Sequence, residues 1–275
     1  MGRDGEKLYD SDETFDFFYE VVDLIEREIS FRLAPERVFH NTTWLREVIN
    51  IVEVMLLFDV HNVGTTVYMG RLAPSIKRLR DTFFNVWDGD WSQDEGGDAH
   101  APFRDYQYRV KHRHVISSWF DRLDEIATYW SADDSDDLAL FVPIADLPYF
   151  RYTNHLGKER IIAGAIMGAI HGLMLKTIVF NLSDENLEPT IRFWEIEHVW
   201  VAVDVINTLC EAFGDAPSIR EETIDRWFNR MKFSWMTFFS QESRVLDEDR
   251  ELYQTVVALF DRLKRLAKSD SFYSI

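Results

Sequence analysis

Apolar residues recur along most of this chain at spacings of three and four, the period of a helix with one buried side. The first such stretch runs from about Thr14 to Leu33. It sets Phe18, Val21, Val22, Ile25 and Ile29 against Glu20, Asp23, Glu26 and Arg27. Ser11 or Asp12 can cap it, and Pro35 ends it. A second stretch, from about Thr43 to Val63, follows Asn41 or Thr42 as cap. It is apolar except for a thin polar line through Arg46, Asn50, Glu53 and His61. Pro74 suits the first position of a third helix, which ends near Trp87 and turns Ile76, Leu79, Phe83 and Val86 inward. A fourth spans about Phe103 to Trp130, its second half patterned by Val115, Trp119, Leu123, Ile126 and Trp130.

The stretch from Ile161 to Phe180, IIAGAIMGAIHGLMLKTIVF, breaks this pattern because it is apolar almost all round. Its length exceeds that of a buried strand, so it predicts a central helix, starting near Asn154 and walled by its neighbours. Gly164, Gly168 and Gly172 fall on one face, with His171 beside them. A glycine in a helix interior costs roughly 1 kcal/mol against alanine, so three in register predict a close helix–helix approach. A membrane span of this length is the competing reading. Lys176 inside the run and the charged opening MGRDGEKLYD weigh against it, which leaves a cytoplasmic, water-soluble protein as the expectation.

Three more helices follow. One runs from about Thr190 to Phe213 behind Pro189. The next starts at a capping box of Ser218 and Glu221 and reaches about Phe239. The last opens at Asp247 and carries Val256, Leu259, Leu263 and Leu266 on its apolar side. Neither an internal repeat nor an alternating strand pattern occurs. The expected architecture is an all-α bundle of roughly eight helices, a single domain over residues 1–275 with a glycine-lined central helix. Residues 1–12 and 269–275 read as frayed ends, and the segments near 88–102 and 131–148 as acidic loops.

Composition sharpens the picture of solvent and core. Nine Trp and 21 Phe predict bulky packing. The formal net charge is −18, carried with only eight Lys beside 22 Arg. That balance suits a protein adapted to molar salt, where the Debye length shrinks to about 3 Å and self-repulsion is screened. It argues against DNA binding and against broad RNA binding, since phosphates would be repelled. The lone Cys210 excludes an intramolecular disulfide and a cysteine-rich zinc site, and its apolar surroundings mark it as a core residue.

Three constellations could carry chemistry. On the helix after Pro189, Glu197, Asp204, Thr208 and Glu211 share a face read as the solvent side, so Glu195 and His198 point inward. Glu195-x-x-His198 has the spacing of carboxylate–histidine metal bundles, with His171 as a neighbouring ligand and Glu53, His155 and Glu159 as further donors. A divalent metal is the cofactor under that reading; otherwise none is expected. The basic run Tyr108 to His114 contains Arg109 and His114, whose spacing resembles the Arg-x4–6-His pattern of HEPN-type ribonucleases. That resemblance implies an all-α, metal-independent enzyme with His114 acting on a ribose hydroxyl and Arg109 steadying phosphate. RNA is a partner only under this reading. Val110 stands where that family carries a polar residue, and chance supplies about two such pairs in a chain of this composition. Two occur, the other being Arg192 with His198. The run Asp133-Asp134-Ser135-Asp136-Asp137 has the DDxxD form of magnesium-diphosphate sites, but the second motif fails at Ala212. Since none of these signals rises above chance, the leading expectation is an interaction or assembly protein. It would work through a protein partner or as a homo-oligomer, with no membrane and no catalytic role.

Overall fold

Helix formation follows the apolar stripes. In the computed structural model the described residues are 12–38, 42–60, 66–89, 105–129, 151–153, 159–161, 165–182, 193–213, 219–241 and 247–269. Among them are α1 (Asp12–Arg32), α2 (Thr42–Val60), α3 (Thr66–Trp87), α4 (Tyr106–Tyr129), α5 (Ala165–Asn181), α6 (Phe193–Phe213), α7 (Glu221–Gln241) and α8 (Asp247–Ser269). The fold is an all-α helical bundle, as the periodicity predicts. A 3-10 turn at Pro35–Arg37 separates α1 from α2. The expected frayed ends, most of both acidic loops and the DDxxD run lie outside the described residues. No described helix is long and apolar enough to cross a membrane.

The chain forms two units, one from Phe18 to Ala169 and one from Ile170 to Ile275 together with residues 1–17. In the first, α3 packs most closely on α4, and α2 packs on both. The predicted stripes are its core: Val21, Val22, Ile25 and Ile29 of α1, and Ile76, Leu79, Phe83 and Val86 of α3, are buried. Phe83 is the centre of an aromatic cluster. Its ring lies 5.4 Å from Trp87, 5.7 Å from Phe120 and 6.5 Å from Trp44. In the second unit α6 packs on α8, and α7 on α8 and α6. There Trp200 meets Trp235 at 5.1 Å, Trp235 meets Tyr253 at 5.4 Å, and Phe228 meets Phe260 at 5.3 Å.

The seams between helices are closed by cations that each reach across to carboxylates. Arg71 of α3 bonds Asp23 and, at 2.6 Å, Glu26 of α1, with its guanidinium over the Tyr19 ring. Arg80 of α3 bonds Asp121 at 2.5 Å and Asp124 at 2.8 Å on α4. Arg262 of α8 takes both oxygens of Glu211 at 2.5 Å and reaches Asp204 at 3.4 Å, both on α6. Lys264 of α8 pairs with Asp225 of α7. At the α1–α2 corner, Arg32 bonds Glu28 at 2.6 Å and lies 3.7 Å from Glu47, while Trp44 donates to the Arg32 carbonyl at 3.1 Å.

Four sequence expectations need correction. Pro74 is inside α3, not at its start. It is exposed, so water can serve the carbonyl left without its donor, and the helix passes through the position. The central helix starts at Ala165, not near Asn154. Ahead of it lies a short antiparallel ladder, β1 (Arg151–Thr153) with β2 (Glu159–Ile161), in which Tyr152 pairs with Arg160. Tyr152, Thr153 and Ile161 favour extended backbone, and the helical reading of Ile161 rested on the length of the whole apolar run, which does not locate where strand gives way to helix within it.

The glycines of α5 are also not where close packing would put them. Gly168 and Gly172 are exposed, and a Cβ on either would meet nothing within 4 Å; Gly164 lies outside the described residues. Burial falls on Ile166, Met167, Ile170, Met174 and Ile178, while Gly168, Ala169, Gly172, Lys176, Val179 and Phe180 face outward. Thus a helix that is apolar on all sides in sequence is buried on one. The reverse error occurs in α6. Its supposed solvent face carries Glu197 and Thr208, which are 6% and 5% exposed, and only Glu211 of the four named residues is open. Arg262 of α8 reaches Asp204 and Glu211 on that side, and a long-range ionic partner is invisible to helical periodicity.

Because both glycines stand in open space, Gly168→Ala and Gly172→Ala should each stabilise an isolated chain by about 0.5–1 kcal/mol through helix propensity alone. Urea denaturation of dilute protein checks this. A loss of stability would mean that the added methyl meets a neighbour.

Candidate functional site

The basic run predicted as a phosphate site is divided by the helix that carries it. Asp105 caps α4, its Oδ1 accepting from the Gln107 amide at 2.8 Å. One turn on, the Arg109 carbonyl accepts from Trp87 Nε1 at 3.3 Å, and the Arg109 side chain is half-buried. Burial lowers the Arg109 pKa from its ordinary value, with Asp88 and Asp105 acting against the shift. His112 is stacked on Tyr108 with ring centroids 3.9 Å apart, and its Nδ1 lies 2.8 Å from the Tyr108 carbonyl. Burial pushes the Tyr108 hydroxyl up to about 12. Arg113 forks onto both oxygens of Asp88, at 3.0 and 2.8 Å, beneath the Phe84 ring. Much of the run is therefore committed to joining α4 to the end of α3, and the acidic partner is indeed the residue that opens the loop before it.

His114 is exposed on the same helix. At about 100° per residue, the five steps from Arg109 turn its side chain roughly 140° away.

The predicted metal ligands are described in part. His171 is half-buried on the flank of α5, with its Nε2 shielded from solvent, and His198 is half-buried on α6. The side chains of Glu195, His155 and Glu159 lie outside the described residues. Glu53 is described and is 2% exposed, as is its neighbour on α2, Asn50, at 0%. The thin polar line of α2 therefore runs through the core. Among the described residues no group of three or more His, Cys, Asp or Glu side chains is arranged to hold a metal ion. Cys210 is buried, as expected of a core residue.

The ionic cluster that sequence reasoning missed is Asp204, Glu211 and Arg262. Glu211 takes the forked hydrogen bonds of Arg262, which leaves Asp204 the weaker contact at 3.4 Å. Burial raises the Asp204 carboxyl to about 6; Arg262 opposes this, and the nearby charge of Glu211 adds to it. Asp204 and Glu211 are seven residues apart on a helix that is largely buried. That spacing was the available signal, since two acids on one line of a buried helix need a cation from a neighbour.

Two helices of the second unit also present apolar side chains outward. Val179 and Phe180 of α5 are 55% and 64% exposed, and Phe233 and Met236 of α7 are 70% and 61% exposed. Such residues supply surface for association rather than groups for acid–base or nucleophilic chemistry. Compared with known protein families, curated proteins and solved structures, the chain gives no match.

The Asp204 shift sets a direction for pH dependence. Between its ordinary value of 3.8 and about 6, the folded chain holds a proton that the unfolded chain has released. Stability contributed by this group is therefore greatest at low pH and is lost as pH rises through that window. Asp204→Asn removes the titration. Relative to wild type, the variant should gain on the order of 2–3 kcal/mol between about pH 3.5 and about pH 7.5. Urea unfolding of both chains across that range reads the difference, and parallel pH profiles would refute it.

Proposed function

We propose that this chain is an acidic, salt-adapted helical interaction protein that assembles through the open face of α5 and has no catalytic role. The observation that carries the reading is the placement of that face. Val179 is 55% and Phe180 64% exposed, on the same outer side of the helix as the bare Gly168 and Gly172. A helix whose sequence is apolar all round, with one side uncovered, has surface left over for another helix. Small residues along such a side let backbones approach closely. The glycines then have a purpose in an assembly that they lack in the isolated chain. The arginine contacts accord with this reading, because side chains that could serve as active-site acids, bases or cations are engaged in holding helices together. A cytoplasmic setting fits the single thiol, which needs no oxidising compartment.

The salt-adapted part of the proposal follows from charge. Arg71, Arg80 and Arg262 each hold two carboxylates, so each such contact leaves an excess negative charge. The net charge of −18 adds long-range repulsion. Salt screens the distant, exposed charges more than the half-buried contacts, so added KCl should stabilise the fold. The melting temperature should rise by roughly 5 °C or more from low to molar KCl; a flat or falling response would refute salt adaptation.

Light scattering tests assembly. The wild-type chain should show a mass above the 32.5 kDa of one copy, and Val179→Asp should return it to that value without loss of helix content. Gly172→Ala should also weaken assembly, although it stabilises the isolated chain. A single-copy mass at every salt concentration, unchanged by either substitution, would overturn the proposal.

A further inference from the structure

Acidic residues are common in this chain, yet four stretches of fifteen or more residues lack them: 60–80, 106–120, 161–183 and 226–241. Among the described residues the exposed large hydrophobics are Tyr19, Phe31, Tyr106, Val110, Val179, Phe180, Phe233 and Met236. Tyr19 lies under the guanidinium of Arg71, and Phe31 under those of Arg32 and Arg37. The other six all fall in three of these acid-free stretches. Outward apolar side chains without a cation over them thus coincide, among the described residues, with interruptions of the acidic surface.

The clearest case is α7, which lies wholly within the second unit. Its inward side buries Ile224, Trp227, Met231, Ser234 and Trp235. Its outward side carries Arg226, Asn229, Lys232, Phe233 and Met236. At about 100° per residue these five occupy an arc of roughly 120°, so they form one continuous row. Glu222, a turn earlier, ends the row at its N-terminal side. From residue 226 to residue 241 the sequence has three cations and no acid, in a chain whose net charge is −18.

We propose that this row docks an acidic amphipathic helix of a partner protein. Phe233 and Met236 seat the apolar side of that helix, and Arg226 and Lys232 meet carboxylates along its flank. Charge decides the class of occupant. A second copy paired on the same row by a two-fold axis near Asn229 would set Arg226 against Lys232, cation against cation. An anionic bilayer extends under the whole protein, so the acidic remainder of the chain would be repelled by it. A single helix presents only a few charges, all within about a Debye length of the row, so distant acids count little. Large apolar side chains beside cations in an acid-free run are what such a ligand recognises. This inference rests on the interaction reading above but uses a different helix from the proposed assembly face.

The test uses the full chain and two synthetic amphipathic helices. Both have the same leucine stripe; one carries Glu along its flanks and the other Lys. Each is labelled and titrated at physiological and molar KCl, with fluorescence anisotropy as the readout. The Glu peptide should bind at least about ten-fold more tightly than the Lys peptide at physiological salt, with the difference shrinking in molar KCl. Phe233→Ser with Met236→Ser should weaken Glu-peptide binding by a similar factor, with helix content and urea midpoint verified. Lys232→Glu should weaken the Glu peptide and tighten the Lys peptide, an exchange that general unfolding could not produce. Equal binding of the two peptides, or variants that bind as wild type, overturns the proposal. Binding to phosphatidylglycerol-containing vesicles without binding to the Glu peptide also overturns it. If the Glu peptide fails while assembly still depends on Val179, only the α7 proposal fails and the interaction reading survives.

Discussion

An arginine that holds two carboxylates of a neighbouring helix is the contact on which much of this structure turns. It appears between α3 and α1, between α3 and α4, and between α8 and α6. The chemistry requires arginine: its planar group offers five donors in a fixed fork and keeps its charge when half-buried, whereas lysine is a compact, strongly hydrated point charge. Each contact is worth about 1 kcal/mol or less where it is open to water. Their value is in specificity. A helix rotated about its axis keeps much of its apolar burial but loses both acids, so the forks select one rotation of each helix over its near neighbours.

This arrangement gives a second meaning to a composition rich in arginine and poor in lysine. The bias suits a saline solvent, and it also supplies the cation that can bridge a pair of acids. The two accounts reinforce each other, since a chain covered in carboxylates must keep its few cations where they do most to hold helices together. Lys264, paired with Asp225, is the exception among the seam contacts described here, and it takes a single acid.

Most of the helical framework was legible in the sequence because burial follows a local period. The stripes through Val21, Ile25 and Ile29, and through Ile76, Leu79 and Phe83, needed nothing beyond spacing. The errors arose where a non-local partner decides the outcome. Asp204 and Thr208 read as solvent-facing because polar residues usually are; the α8 arginine that reaches Asp204 is far away in sequence. The glycines of α5 were read as a packed groove because their register is that of one, yet sequence cannot say which side of an all-apolar helix is covered. Arg109 and His114 lie on one helix five residues apart, about 140° around it, which a spacing rule does not take into account. The row on α7 was legible in principle, since Phe233 and Met236 fall in an acid-free run that carries three cations.

Helix α3 carries one further implication. Arg71 and Arg80 are nine residues apart, close to half a turn beyond two full turns, so they leave α3 on roughly opposite sides. One grips α1 and the other α4, and Pro74 lies between the two grips. A proline there removes one rung of the backbone ladder, yet the helix continues through it. The helix is thus a strut with a grip on each side, and α1 and α4 are tied to each other through a single rod.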